Sequence, residues 1–247
     1  MKHERYAVGK RVGSLCRMAS IAMVLCVVLI SCNRDPRLDS LLQMEPTPEL
    51  PTSRERTEEL KAIIAEYEEV VNEKIYAAVK QASYLKLLAQ EYMRAELFGP
   101  ALETIEEAIL IEPRNKVLHQ LAGVCAAYLG KSRARDEERS RYLTMAERFY
   151  LASIEIDPDY RDGLYALGTL YHFELGRHLE AVAVLERLLD RIPNHVQALF
   201  VLARAHAALG NVDDAIRAYE TIIDNAPDHG VAEQARRFRL LLQGEVE

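Results

Sequence analysis

The chain is predicted to be all-α, an α-solenoid of about four antiparallel helix pairs with a further helix at each end. Three observations predict this. Ala101, Ala146, Ala181 and Ala215 each have a proline twelve residues downstream, namely Pro113, Pro158, Pro193 and Pro227. Between alanine and proline the apolar residues recur at three and four, as in Ile105, Ala108 and Ile111 or Ile216, Tyr219, Ile222 and Ile223, which places them on one helical face. The alanines themselves are spaced 45, 35 and 34 residues apart. Such a period marks stacked two-helix units, because one hairpin cannot bury its apolar face alone. At 247 residues, 49% hydrophobic and 28% charged, the chain can bury a sizeable core and is not disordered in bulk.

Residues 1–31 read as a targeting segment. Lys2, Arg5, Lys10, Arg11 and Arg17 precede the apolar run Met18 to Ile30, which is shorter than the roughly 20 residues that span a bilayer. Leu29-Ile30-Ser31-Cys32 then resembles the bacterial lipobox, in which two aliphatic residues and a small one precede a cysteine. That resemblance implies diacylglyceryl attachment to the Cys32 thiol, cleavage just before it and acylation of the new amino terminus. The expected product is a lipid-anchored protein of the bacterial cell envelope. Asn33 follows the cysteine where an inner-membrane retention aspartate would stand, which favours the outer membrane, facing the periplasm. With Cys16 and Cys26 removed and Cys32 modified, Cys125 remains alone, so no intrachain disulfide is expected. Among Leu121, Val124, Ala126 and Ala127 it reads as a small core residue.

Without residues 1–31 the chain carries 26 basic and 37 acidic residues, a net charge of −11. Such a surface repels nucleic acid and anionic headgroups, so membrane contact is expected through the lipid. Residues 32–53 contain Pro36, Pro46, Pro48 and Pro51 and little periodicity, as a tether does. Its reach is at most about 70 Å.

Helical periodicity begins at 54. Over 54–81, Leu60, Ile63, Ile64, Tyr67, Val70, Val71, Ile75, Tyr76 and Val79 recur at three and four, predicting an N-terminal helix that covers the edge of the first unit or forms a seam for self-association. No glycine or proline marks its end. Four units follow, at 82–115, 116–160, 161–195 and 196–229. The last contains Leu199, Leu202-Ala203, His206, Gly210, Ala215, Tyr219, Ile222 and Pro227. The third contains Leu164, Leu167-Gly168, Tyr171, Gly176, Ala181, Leu185, Leu188 and Pro193. The first has Leu85, Leu88-Ala89, Tyr92, Ala101, Ile105, Ala108 and Pro113; the second has His119, Ala122-Gly123, Ala126, Gly130, Ala146, Tyr150, Ser153 and Pro158.

These positions resemble the tetratricopeptide repeat (TPR), with small residues where the two helices of a unit touch, a glycine at the turn between them and a closing proline. The resemblance implies a right-handed superhelix. The chain departs from the pattern in having no tryptophan, in placing His119 and His206 where apolar residues are usual, and in the length of the second unit. That length comes from residues 131–141, five basic and three acidic, expected as a solvated loop or as lengthened helices rather than as a docking contact. Residues 230–247 are expected to supply a capping helix, Val231 to Gln243, and a tail, with Glu233, Arg236, Arg237 and Arg239 on its outer face.

Chemistry is sparse. Gly130-Lys131-Ser132 imitates the end of a phosphate loop, but Cys125 stands where its upstream glycine belongs and the setting is a helix end. There is no His-Glu-x-x-His and no Cys-x-x-Cys, and His172 and His178 lie six apart, off one helical face. Glu106-Glu107 and Asp213-Asp214 read as solvated helix charge. Neither an enzyme nor a cofactor or metal site is expected.

In the resembled family the first helix of each unit lines the inner face. Position by position this implies a groove of Lys86, Gln90, Met93 and Arg94 from the first unit, and Gln120, Val124 and Tyr128 from the second. The third unit contributes Tyr165, Thr169, His172 and Phe173, and the fourth Phe200 and Arg204. Tyr165 and Phe200 serve equally well as packing between units. The carboxylate clamp of chaperone-tail readers is missing, since Lys86 is in place but Leu121, Asp162 and Ala166 stand where amide or basic residues are needed. The expected function is a membrane-anchored scaffold or assembly factor binding a protein or peptide segment. The alternative is a transporter-associated or ligand-holding accessory protein.

Overall fold

A computed structural model describes residues 54–226 and 228–244. The targeting segment, Cys32, the tether and Pro227 lie outside them. The chain divides into two units, Met1–Glu66 and Tyr67–Glu247. What is described of the first is the opening of a helix, exposed, with a Lys61–Glu58 ion pair at 3.0 Å.

The described secondary structure is entirely helical. It comprises α1 (Arg54–Arg94), α2 (Phe98–Ile111), α3 (Lys116–Lys131), α4 (Asp136–Ile156), α5 (Arg161–Phe173), α6 (His178–Arg191), α7 (Val196–Ala208), α8 (Val212–Asn225) and α9 (His229–Gln243). The expected break between an N-terminal helix ending at 81 and the first repeat does not exist. Nothing between Arg54 and Arg94 removes a backbone donor or favours another conformation, so α1 is one helix of 41 residues.

Packing in the second unit passes from neighbour to neighbour. One core joins Ala82 and Ala89 of α1 to Ile105 of α2, Leu118 of α3 and Phe149 of α4. The next joins Ala126, Tyr150, Leu167, Ala181 and Ala205 of α3 to α7. Leu164, Leu185 and Leu202 centre a third, and Leu199, Tyr219, Ile222 and Ala235 a fourth. Serial cores of this kind are the energetics of a solenoid.

Local chemistry sets the helix ends. Pro113, Pro158 and Pro193 each stand two residues past a helix, after Ile111, Ile156 and Arg191, where a residue without an N–H cannot continue it. Asn115 caps α3 by accepting from the N–H groups of Val117 and Leu118. His195 Nδ1 and the Asp228 carboxylate accept from Ala198 and Val231. Within units, Gly123 lies against the Tyr150 ring and Gly168 against Leu185.

The second unit departs from the turn-glycine pattern. Gly130 is not in a turn; it lies inside α3, buried beneath Leu143. Most of 131–141 is helix as well, because only residues 132–135 separate α3 from α4, and α4 is lengthened to 21 residues against 14 for α2, α6 and α8.

Candidate functional site

Between α3 and α5 the chain opens a cleft of about 400 Å³. Five of the predicted groove residues meet there: Gln120, Val124 and Tyr128 from α3, Tyr165 and Thr169 from α5. Their spacing of four residues puts each set on one helix face. Ala127, Ala166 and Leu170 complete an apolar lining, and the buried Tyr150 of α4 closes the floor. Thr169 donates its hydroxyl to the Tyr165 carbonyl at 2.8 Å, so its polar atom is satisfied locally. Tyr128, half exposed, stacks on Phe98 with ring centroids 4.3 Å apart and planes 5° from parallel.

Charge is confined to the ends. At one end Glu174, with a side chain only 10% exposed, accepts from Lys131 at 3.0 Å and Arg139 at 3.1 Å. Those cations come from the basic stretch 131–141, expected as a solvated loop or as lengthened helices. Arg133 and Arg135 in the same stretch approach Glu138 at 3.8 and 3.6 Å. Asp162 lines the other end and pairs with Arg161 at 2.9 Å. Glu174, Lys131 and Asp162 escaped the sequence reading of the groove; Lys131 carried a signal as the first residue of the basic stretch, and Asp162 as a residue at a clamp position.

The remaining predicted groove residues are not brought into this cleft. Phe200 is a packing residue, with its ring 6.0 Å from Tyr219 and 6.4 Å from Phe238. Met93 packs on the first core, and Lys86 and Gln90 are half-buried elsewhere on α1. Arg94 pairs with Glu91 on its own helix. His172, Phe173 and Arg204 form a separate cluster. Arg204 lies over the rings of Phe173 at 5.7 Å and Phe238 at 5.2 Å, and His172 meets Phe173 edge-on at 4.4 Å.

The turn after α5 swings His178 back, so that its Nδ1 lies 3.1 Å from that of His172, a contact that the six-residue spacing did not suggest. Burial, then the neighbouring His178 and Arg204, hold the His172 imidazole below its ordinary value. Alongside, Glu147 accepts from the Tyr171 hydroxyl at 2.9 Å and from Arg177 at 2.6 Å, and burial followed by that hydrogen bond pushes the Tyr171 phenol up to about 12.

Cys125 is fully buried and burial pushes its thiol up to about 12, the opposite of an activated nucleophile. Among the described residues no three of His, Cys, Asp and Glu are grouped to hold a metal ion, and no helix is long and apolar enough to cross a membrane. What the arrangement offers is an apolar, aromatic slot with a polar group at each end, able to take an apolar side chain and orient its flanks.

Comparison with known proteins agrees with this architecture. The tetratricopeptide repeat family model matches residues 165–229. A TPR repeat-containing protein of Borreliella burgdorferi is 27% identical over 202 residues, 80% of this chain and 87% of its own length. Among solved structures, a thermophilic TPR protein of Thermus thermophilus is similar with a TM-score of 0.56 and 21% identity, covering 66% of this chain and 81% of its own. MamA of Desulfovibrio magneticus RS-1 is similar with a TM-score of 0.56 and 18% identity over 67% of this chain and 86% of its own. YrrB, described as a TPR protein with an unusual peptide-binding site, has a TM-score of 0.51 and 18% identity over 73% and 85% of the two chains. Residues 165–229 thus match the tetratricopeptide repeat, and the described residues are all-helical and folded like the solved solenoids of that repeat.

Proposed function

We propose that this protein is a non-catalytic interaction scaffold, anchored by a lipid on Cys32 to a bacterial envelope membrane, that binds a segment of a partner protein in the α3–α5 cleft. The observation that carries the reading is the cleft itself: an apolar slot walled by Tyr128 and Tyr165 and closed by the Lys131–Glu174 pair. Rigid aromatic walls contribute contact area at low entropic cost. A partner segment with an apolar anchor residue fits it. The lipobox, the net charge of −11 and the proline-rich tether support anchoring through lipid, and Asn33 favours the outer membrane facing the periplasm.

Two experiments test this. A photo-crosslinking amino acid at Thr169 should attach a defined partner in the native envelope, whereas the same group at the exposed Leu110 should not. Equal labelling at both positions would remove the cleft assignment. Cys32→Ala should release the protein from membranes; persistent membrane retention would count against lipidation.

One observation favours a second reading, an accessory protein that holds a small ligand: about 400 Å³ lies within the size range of small-molecule sites. A small molecule retained at stoichiometric level by the purified protein, and lost on Ala166→Phe, would select it.

A further inference from the structure

The two ends of the repeat array are finished differently. At the C-terminal end α9 buries Ala232 and Ala235, packs Phe238 and Leu242 onto the last core, and turns Glu233, Gln234 and Arg237 outward, the polar face that a terminal helix needs. At the other end α1 carries more than half of the large apolar side chains that are exposed among the described residues. Its Ala82 and Ala89 are buried in the first core, but the face about a third of a turn away is uncovered. There Val70, Ala77 and Tyr84 follow at seven-residue intervals, with Gln81 and Leu88 in the adjoining row. Tyr84 is 63% exposed and Leu88 44%, and a cleft of about 550 Å³ opens along Ala77, Gln81, Tyr84 and Leu88. A seven-residue seam is the pattern that a partner helix follows.

The charges say which helix fits. Glu73 and Lys80 flank this seam on the same side, seven residues apart. That is about 10.5 Å along the axis, too far for pairing within one helix. If a second α1 is laid antiparallel with Ala77 against Ala77, Glu73 of each copy falls beside Lys80 of the other, and the two-fold axis makes the contact twice. A parallel pair in register would instead place the Glu73 and Lys80 flanks of the two copies on opposite edges of the seam, so that neither contact forms. Ala77 at the crossing point lets two backbones approach closely.

We propose that α1 is a self-association surface, on which two copies of this chain pair antiparallel from Val70 to Leu88 with Ala77 at the two-fold axis.

Sedimentation equilibrium on the purified full chain tests this. The natural chain should be a dimer. Glu73→Lys and Lys80→Glu should each raise the dimer dissociation constant by roughly tenfold or more, since each sets like charges together twice. An equimolar mixture of the two variants should recover the natural affinity, because every cross-copy contact is then attractive. Tyr84→Asp, at an exposed position, should be monomeric with unchanged helical circular dichroism. A natural chain that stays monomeric, single variants that dimerise as it does, or a mixture no tighter than its components would each overturn the proposal.

Discussion

Glu96 and Gly210 occupy the same point of the same turn. Both have positive φ, 58° and 79°, and each stands two residues before the second helix of its unit. In each turn the next N–H closes back over five residues: Leu97 donates to the Tyr92 carbonyl at 2.9 Å and Asn211 to that of His206 at 2.9 Å. This is a Schellman closure, and the left-handed residue within it is strained when it carries a Cβ.

Glu96→Gly should therefore stabilise the protein by about 1 kcal/mol. The reciprocal Gly210→Ala should destabilise it by about the same amount, although a Cβ at Gly210 meets nothing within 4 Å. Urea denaturation of the two variants checks both signs.

Close approach gives a different glycine effect. A Cβ on Gly168 would lie 2.6 Å from Leu185 and one on Gly123 would lie 2.4 Å from the Tyr150 ring. Gly168→Ala and Gly123→Ala are expected to cost about 1–3 kcal/mol each, as overpacking does. The same place in the other units holds Ala89 and Ala203, both fully buried, so a loss would trace to the neighbour rather than to the helix. Shortening the neighbour in Gly168→Ala/Leu185→Val should recover part of the loss, measured by thermal denaturation.

Glu174 draws the basic stretch onto the helix pair. Glu174→Gln keeps the shape and removes the charge facing Lys131 and Arg139, and should cost on the order of 1 kcal/mol at low ionic strength. The difference from the natural protein should shrink at high salt, where exposed cations are screened. Denaturation at two salt concentrations reads it.

His172 gives a pH dependence with a defined sign. Its folded value lies below 6.5, so between the two the unfolded chain binds more protons. Stability is then fully present above 6.5 and falls as the solution is acidified through that window. His195, also lowered chiefly by burial, acts in the same direction. His172→Gln should remove part of the decline on acidification from about pH 7.5 to about pH 5.5, and urea midpoints at both pH values measure it.

Local signals made most of the fold legible. The alanine-to-proline intervals and the three-four periodicity describe interactions that each helix makes with itself or its immediate neighbour, and such rules are written along the chain. Local signals also misled: the repeat period placed a boundary at 81 although no glycine or proline interrupts Arg54–Arg94, and Gly130 carried the residue type of a turn while serving as a contact for Leu143. The groove was legible in part because helix periodicity groups Gln120, Val124 and Tyr128, or Tyr165 and Thr169, on one face. It could not tell that Phe200 is taken up by Tyr219 and Phe238.

By itself, then, the amino-acid sequence determined an all-helical repeat array, the proline stops of its second helices and its net negative charge, because periodicity, backbone restriction and net charge are additive along a chain. Only the tertiary structure decided which side chains share the cleft, that Lys131 and Arg139 converge on Glu174, that His172 meets His178, and that α1 leaves an apolar face without cover. Those are contacts between residues brought together by packing, and packing depends on which neighbour is already in place.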